Sequence, residues 1–408
     1  MAAVKKVLFL TTANLTTNPR LYKELEYFQD KVSCSFLGFS FDNWTSDIEI
    51  ELQKKLKNVE LNYLPAGRSP FFPWLWSTLT QPLATFMWKY FQSNLGLSAL
   101  ASNKRTLLLN RYLSKTNSDF DLVIAHNLGA LYPAYKFAKK NHTQFAFDLE
   151  DYHPGEHIDG DQVFEQQRRE SLLKQLLPTA SYISYASPLI GKALFSLCPE
   201  LSDNTSFLIT NGFHGEEFKP PELTDGKLKV VWFSQYIDYG RGLEILLTAL
   251  DKYSDQLSLH LIGDLREQFR INELESRSYV ESHKPMTQHE LHKYLSNFDL
   301  GLAIEMPDRD MNRDICLTNK IFAYAQAGLY VLASDTSAQK DFIEKYPWLG
   351  KTGGMSINEL SESLERVLRD LTSIRALKNE RYQNSKSLDW KLQAEHLERE
   401  IIGKKPRE

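Results

Sequence analysis

Five places along the chain carry side chains able to bind or transform a ligand. Asn319 and Lys320 open a helical pattern that ends at Ala327 and Gly328. An amide and an ammonium at a helix start, where backbone N–H groups are unpaired and the dipole is positive, suit an anion. Gln235 and the pair Arg241 and Gly242 lie between an apolar strand pattern and a helix pattern beginning at Ile245. A cation at such a glycine-flanked turn can hold a leaving diphosphate and offset its charge. Asn14, Thr16, Thr17 and Asn18, with Arg20 beyond Pro19, form a polar loop after the first strand pattern. They offer hydroxyl, amide and backbone donors to a diphosphate, and a plain capped loop explains them equally well. His126 ends the apolar run 121–125, the position at which open α/β sheets bind ligands, although a single histidine is more often structural. Asp148, Glu150, Asp151 and Glu156 crowd another strand end together with His153 and His157. Carboxylates so close repel one another and raise some pKa values unless a cation or a hydroxyl-rich ligand joins them. Asp148, Asp151, His153 and His157 are metal-ligand types without a clean metal spacing, and no metal is assigned.

These groups need elements to hold them. Apolar runs at 4–11, 32–38, 59–64, 121–125, 144–147, 182–186, 229–234, 257–263, 280–284, 300–304 and 330–333 read as strands, and Leu208 leads another into the tight turn of Asn211 and Gly212. Helical periods at 130–141, 165–177, 245–253, 287–296, 357–371 and 390–402 alternate with them, which describes an α/β chain built on parallel sheets. With 408 residues the chain exceeds what one core usually serves, so two domains are expected. A hydrophobic share of 42% and a charged share of 25% belong to an ordinary soluble globular protein. The net charge of −4 argues against a dedicated nucleic-acid binder and leaves room for local basic sites. Cys34, Cys198 and Cys316 are isolated, which fits a reducing cytoplasm and no disulfide scaffold. The run 7–10 is too short for the apolar part of a signal peptide, and no window approaches the roughly 18 apolar residues of a span.

The segment 68–91 stands apart, with three Trp, four Phe and one Tyr interrupted by prolines. A membrane-interface or lipid-acceptor role, with Arg68 and Lys89 at its ends, competes with a pair of core-packed helices. Core packing is the favoured expectation, because aromatic clusters are more often core than anchor.

The run Asn319-Lys320-Ile321-Phe322-x-Tyr324-x-x-Ala327-Gly328, followed by Val331-Leu332-Ala333-Ser334-Asp335, resembles the donor-nucleotide segment of GT-B glycosyltransferases, especially the retaining enzymes of family 4. The resemblance extends in order over most of the chain. Asn18-Pro19-Arg20 stands where the family often carries Asp/Asn-Pro-Arg, His126 where retaining enzymes contact the transferred sugar, and Asn211-Gly212 where the C-terminal domain begins. The chain also departs from the family. Gln235 and Arg241 occupy the places of an Arg and a Lys, and Glu150 and Asp151 those of a His and a Glu. Ile315 and Ala323 replace two glutamates that touch the donor sugar and ribose; Asp314, by adjacency, is the best substitute, ahead of Asp310 and Glu305.

The resemblance implies two Rossmann-like domains facing each other across a cleft, the GT-B fold: an acceptor domain at 1–205, a donor domain at 206–380 and, at 381–408, a helix returning to the first, with Trp390 as its anchor. The implied activity is transfer of a sugar from a UDP- or GDP-sugar to a glycan or lipid-linked acceptor, with retention, no metal and no permanently bound cofactor. The implied catalytic residues are His126, Asp151, Arg241 and Lys320. The implied donor contacts are Asn14, Asn18, Gly212, Gln235, Arg241, Gly242, Asp314, Asn319 and Lys320. The cytoplasm is the implied location, with peripheral contact at the inner face of a membrane through 68–91 and no nucleic-acid partner. Two alternatives stay open: a catalytically degenerate nucleotide-sugar-binding partner protein and a GT-B-like sugar-nucleotide epimerase.

Overall fold

The computed structural model describes residues 5–402 apart from 44, 93, 117–118, 159, 202–204 and 307–309. Val4, expected at the start of the first strand, and the GKKPRE tail lie outside the described residues. The chain separates into two compact units, Met1–Ile209 with Ala394–Glu408, and Thr210–Gln393.

The first unit is built on seven parallel strands, β1 (Lys6–Thr11), β2 (Ser33–Ser40), β3 (Val59–Pro65), β4 (Leu122–His126), β5 (Gln144–Leu149), β6 (Ile183–Tyr185) and β7 (Ser206–Leu208), in the order β3-β2-β1-β4-β5-β6-β7. Strands β1, β4 and β5 are buried almost throughout, as unbroken apolar runs in a parallel sheet covered on both faces must be. The strand order reverses between β1 and β4, so the loops leaving their carboxyl ends diverge and open a place for ligand or for packing. Strand β7 pairs with β6, Ser206 opposite Ile183, and this part of the unit runs to Ile209, four residues beyond the expected 205. Residues 381–393 stay with the second unit, and the final helix Trp390–Ile402 joins the first only from Ala394 onward. There Glu398 meets Lys31 Nζ and the Tyr27 hydroxyl, each at 2.6 Å, while Trp390 is fully buried in the second unit.

The segment 68–91 does not pack as expected. The helix Phe71–Trp88 buries only Ser77, Ala84 and Trp88. That face meets the helix Leu95–Ser102 through the Gln81 amide, which donates to Ala101 O at 3.3 Å, and Trp88 packs edge-on against Phe164 at 5.0 Å. A single helix offers one face to its neighbour, and an aromatic content this high overfills that face. Among the described residues no helix is long and apolar enough to cross a membrane.

The second unit carries six parallel strands, β8 (Leu228–Ile237), β9 (Leu257–Leu265), β10 (Val280–His283), β11 (Leu300–Ala303), β12 (Tyr330–Ser334) and β13 (Gly350–Gly353), in the order β10-β9-β8-β11-β12-β13. Trp232, Leu259, Leu261, Leu302 and Leu332 build its core. Here the reversal falls between β8 and β11. Strand β8 runs on to Ile237 through a register shift between Phe233 and Tyr236, so Gln235 lies inside the strand and not in the following loop. Strand β13, Gly-Lys-Thr-Gly, has no apolar alternation and owes its existence to pairing with β12.

Candidate functional site

The clearest ligand-binding arrangement stands at the β8/β11 reversal. Glu305 follows β11, and its backbone N–H donates to Ser334 Oγ at the end of β12 at 3.0 Å. Lys320, in the first turn of the helix Asn319–Gln326, is buried, with Nζ 3.1 Å from Glu305 Oε1 and 5.6 Å from the centre of the Trp232 ring. An Arg313 guanidinium nitrogen lies 3.9 Å from Glu305 Oε2, and Arg313 is shared with Asp310 at 3.7 Å. Burial pushes the Glu305 carboxyl up, yet Lys320, then Arg313 and Arg241, hold it below the ordinary range. Arg241 itself is exposed, and among the described residues no carboxylate lies within salt-bridge distance of it. Three cations therefore face two carboxylates, and the positive excess rests on Arg241.

Gly242 brings that arginine to the group. It has φ 79°, and a Cβ there would lie 3.0 Å from Met306 Sδ and 3.2 Å from Ile304, so a side chain would be both strained and obstructed. The turn thus closes on the residues just past β11 and leads into the helix Leu243–Asp251, while Gly240 N–H is braced by Glu244 Oε1 at 2.8 Å. Asn319 is exposed at the start of the helix Asn319–Gln326. Two cations, an amide and two helix starts at the carboxyl ends of parallel strands suit a diphosphate in charge and geometry.

Of the other residues expected in this unit, Asp314 and Gly212 are engaged within the protein. Asp314 accepts the Ser337 N–H at 2.8 Å and so caps the helix Ser337–Lys345, while Asp310 caps the helix Met311–Ile315 through the Arg313 N–H at 2.7 Å. Glu305, not Asp314, is the carboxylate among the cations; its place just past an apolar strand was the signal for it. Gln235 is exposed on β8. At Gly212 a Cβ would lie 1.9 Å from the Leu388 carbonyl oxygen, so the glycine allows two backbones of this unit to touch. Next to it, Phe213 is bonded by both ends of the Gln326 amide at 2.8 Å. Ile315 and Ala323 are buried, so the places where the resemblance would put glutamates carry core side chains.

The reversal in the first unit is closed by its own charges. Arg20, Glu24, His126 and Asp148 are all fully buried. Arg20 reaches Asp148 Oδ1 at 2.8 Å and donates to Ile209 O at 2.7 Å. His126 places Nε2 3.2 Å from Glu24 Oε2 and Nδ1 3.4 Å from Asp148 Oδ2, and Ser184 Oγ donates to Asp148 Oδ1 at 2.6 Å. Burial works against a charged imidazole, but the two carboxylates carry His126 up to about 9. Asp148 is held well below the usual range, against burial, by Arg20 and His126. His126 ends β4 as expected, yet both ring nitrogens are turned to carboxylates and not to a ligand.

Asn14 and Asn18 are likewise occupied. Asn14 Oδ1 accepts from the Thr17 N–H at 3.0 Å and hydroxyl at 2.6 Å, and its amide donates to Thr45 Oγ1 at 2.9 Å. Asn18 caps the helix Pro19–Phe28 through the Leu21 N–H at 3.2 Å. The capped loop is thus what the structure contains. Asn127, which sequence reasoning missed, ties this loop to β4 from a left-handed φ of 69°: it accepts from the Thr12 hydroxyl at 2.8 Å and donates to Thr11 Oγ1 at 2.7 Å. Its signal was an asparagine directly after a strand end, a residue type that tolerates this conformation. Asp151 is half-buried past β5, and Glu150 beside it is pushed up to about 7 by burial and by Asp151 and Asp148, with Arg20 opposing. His153 pairs with Glu156 at 3.0 Å. Among the described residues two other groups bring three metal-ligating atoms together. One is Glu24, His126 and Asp148, already neutralised by Arg20; the other is His260, Glu281 and His283, on β9 and the edge strand β10.

The chain has the fold of GT-B glycosyltransferases, with one parallel α/β unit following another. Solved structures similar to it include Anabaena Alr3699/HepE in complex with UDP and glucose, 14% identical over 98% of this chain and 100% of that one, with a TM-score of 0.66. Sucrose-phosphate synthase from Thermosynechococcus elongatus is 15% identical over 96% and 97%, with a TM-score of 0.66. A glycosyltransferase from Rickettsia africae is 11% identical over 98% and 100%, with a TM-score of 0.65. At such identities the likeness is one of fold. No protein-family model and no curated protein matches the chain.

Proposed function

We propose that the chain is a glycosyltransferase of the family 4 type that moves a sugar from a UDP- or GDP-sugar to a glycan or lipid-linked acceptor. The observation that carries this reading is the positive excess at the β8/β11 reversal, where Arg241 and Lys320 stand at two helix starts. The UDP and glucose bound to HepE, a protein of the same fold, agree with it. In this reading the diphosphate lies against Arg241, Lys320, Asn319 and the Gly242 turn, with Arg313 adding charge and Glu305 holding the Lys320 ammonium in place. Transfer proceeds with retention and without metal. The bond from the anomeric carbon to the β-phosphate oxygen breaks, the bond to the acceptor oxygen forms on the same face, and the acceptor proton passes to the departing phosphate. Arg241 and Lys320 offset the charge that develops on the leaving group, so positioning and electrostatics replace a strong base. Asp151 is assigned to sugar or acceptor hydroxyls, whereas His126, Asn14 and Asn18 support the first unit from within. The protein works in the cytoplasm, and a lipid-linked acceptor is met at the inner face of a membrane beside residues 68–91.

The test is thermal shift and calorimetric titration with UDP, GDP, ADP and their sugars on the wild type, Arg241→Ala and Lys320→Ala. A ligand that binds only the folded chain raises its melting temperature, so one nucleotide should stabilise the wild type and do so less in both variants. Stabilisation by none of them sinks the reading. The buried Ile315 and Ala323 favour one rival, a nucleotide-sugar-binding partner without catalysis. Binding of a nucleotide sugar with neither transfer nor hydrolysis would select it.

A further inference from the structure

The helix Phe71–Trp88 turns an apolar face away from its own unit. Phe72, Trp76, Leu79, Leu83 and Phe86 follow one another at alternating steps of four and three residues, which lines them along one side, and each is between 56% and 72% exposed, with Tyr90 exposed just past the helix end. Three of the four hydroxyls on this helix, Thr78 being the exception, are turned back on its own carbonyls: Ser77 donates to Trp74 O at 2.9 Å, Thr80 to Trp76 O at 2.6 Å and Thr85 to Gln81 O at 2.9 Å. Donors satisfied in this way lower the cost of leaving water. The surrounding sequence is strongly one-sided in charge. From residue 61 to residue 118 there is no Asp or Glu, where the chain's average would place roughly seven, while Arg68, Lys89, Lys104, Arg105, Arg111 and Lys115 all fall within it. Arg105 is turned inward, onto Thr12 O at 3.0 Å, whereas Arg68, Lys89, Arg111 and Lys115 are exposed.

We propose that this face docks the protein on an anionic phospholipid surface, with the helix lying in the headgroup layer. Amphipathic rings favour that depth, and cations without neighbouring acids are drawn to anionic headgroups. A second copy of the chain fits worse, since two such faces would bring acid-free cationic segments against each other. The helix lies on the bilayer and does not cross it, because it is not long and apolar enough to span. The inference stands on this surface and not on sugar transfer.

The experiment is co-sedimentation of the full chain with phosphatidylcholine vesicles prepared with and without phosphatidylglycerol. The wild type should sediment with the anionic vesicles and far less with the neutral ones, and added salt should weaken the association. Replacing Phe72, Trp76 and Phe86 together by Ser should lower partitioning on the order of tenfold or more, because three buried rings are lost. Arg68→Gln with Lys89→Gln should lower it several-fold on anionic vesicles only. Since all these side chains are exposed, melting temperature and nucleotide binding should not change, which separates failure here from failure of the donor site. Wild type left in the supernatant with anionic vesicles, or a triple variant that sediments like wild type, overturns the proposal. So does a vesicle-free dimer that the triple variant converts to monomer, since the face would then belong to a second copy.

Discussion

Both units place charged side chains where their strand order reverses, and the two groups are opposite in design. In the first, Arg20 and His126 are matched by Glu24 and Asp148, all four fully buried. In the second, Lys320 and Arg313 share Glu305 and Asp310, and Arg241 stands exposed beside them. Balanced charges away from water hold a fold in place and offer nothing to a ligand; an unbalanced set at the surface has affinity left to give. The same position in two similar sheets has therefore become structural in one unit and receptive in the other.

The largest effect should come from breaking the balance in the first unit. Asp148→Ala leaves Arg20 and His126 buried without the carboxylate that both touch and should cost about 3–5 kcal/mol in urea unfolding. A cost below about 1 kcal/mol would mean that the network opens to water. The next effect concerns pH. His126 has a folded pKa of about 9 against an ordinary 6.5, so its stabilisation is complete below pH 6.5 and is lost as pH rises through 9. The difference between wild type and His126→Gln should shrink over that window by on the order of 2–3 kcal/mol. Lys378, pulled down to about 8 by burial, works in the opposite sense and is common to both proteins, so its contribution cancels in the difference. A difference that stays flat from pH 6.5 to 9.5 would show a neutral imidazole.

In the second unit the comparison is sharpened by affinity. Arg241→Ala should weaken nucleotide binding about 10- to 100-fold in calorimetry while leaving unfolding within about 0.5 kcal/mol of wild type, the reverse of the Asp148 result. The smallest effect belongs to Asp314→Ala, which removes a helix cap and should cost about 1 kcal/mol with nucleotide affinity unchanged. A loss of affinity there would return Asp314 to the donor site.

The fold was legible wherever a strand is buried on both faces, because runs such as 121–125 and 330–333 leave no other use for so many consecutive apolar side chains. Gly350–Gly353 was not, since its only credential is the neighbour it pairs with. At the β8/β11 reversal Arg241 and Lys320 could be singled out from local signals, a glycine-flanked turn and a helix start. Adjacency to Ile315 singled out Asp314 as the substitute for the missing glutamates, ahead of Glu305, although Glu305 is the carboxylate that meets Lys320. Asp314 is nearer in sequence to Lys320, but it caps a helix beginning 23 residues after it, whereas Glu305 arrives from a neighbouring strand. His126 shows the same limit: its strand-end position was readable, and the Glu24 and Asp148 that enclose it come from 102 residues before and 22 residues after. The aromatic helix failed in another way, since composition counts rings without saying how many a neighbour can cover.

The last helix carries a consequence for synthesis. Ala394, Leu397 and Ile401 are fully buried members of the first unit, and Phe207 packs against the His396 ring, tilted by 40°, at 4.9 Å. A ribosome that has passed Ile209 has therefore delivered a sheet whose covering is still unmade. At about 5–20 residues per second, roughly ten to forty seconds go by before those side chains emerge, long enough for the whole second unit to form first. The half that is begun first is finished last, and a nascent chain stalled anywhere in between exposes the apolar seat of a helix it does not yet possess.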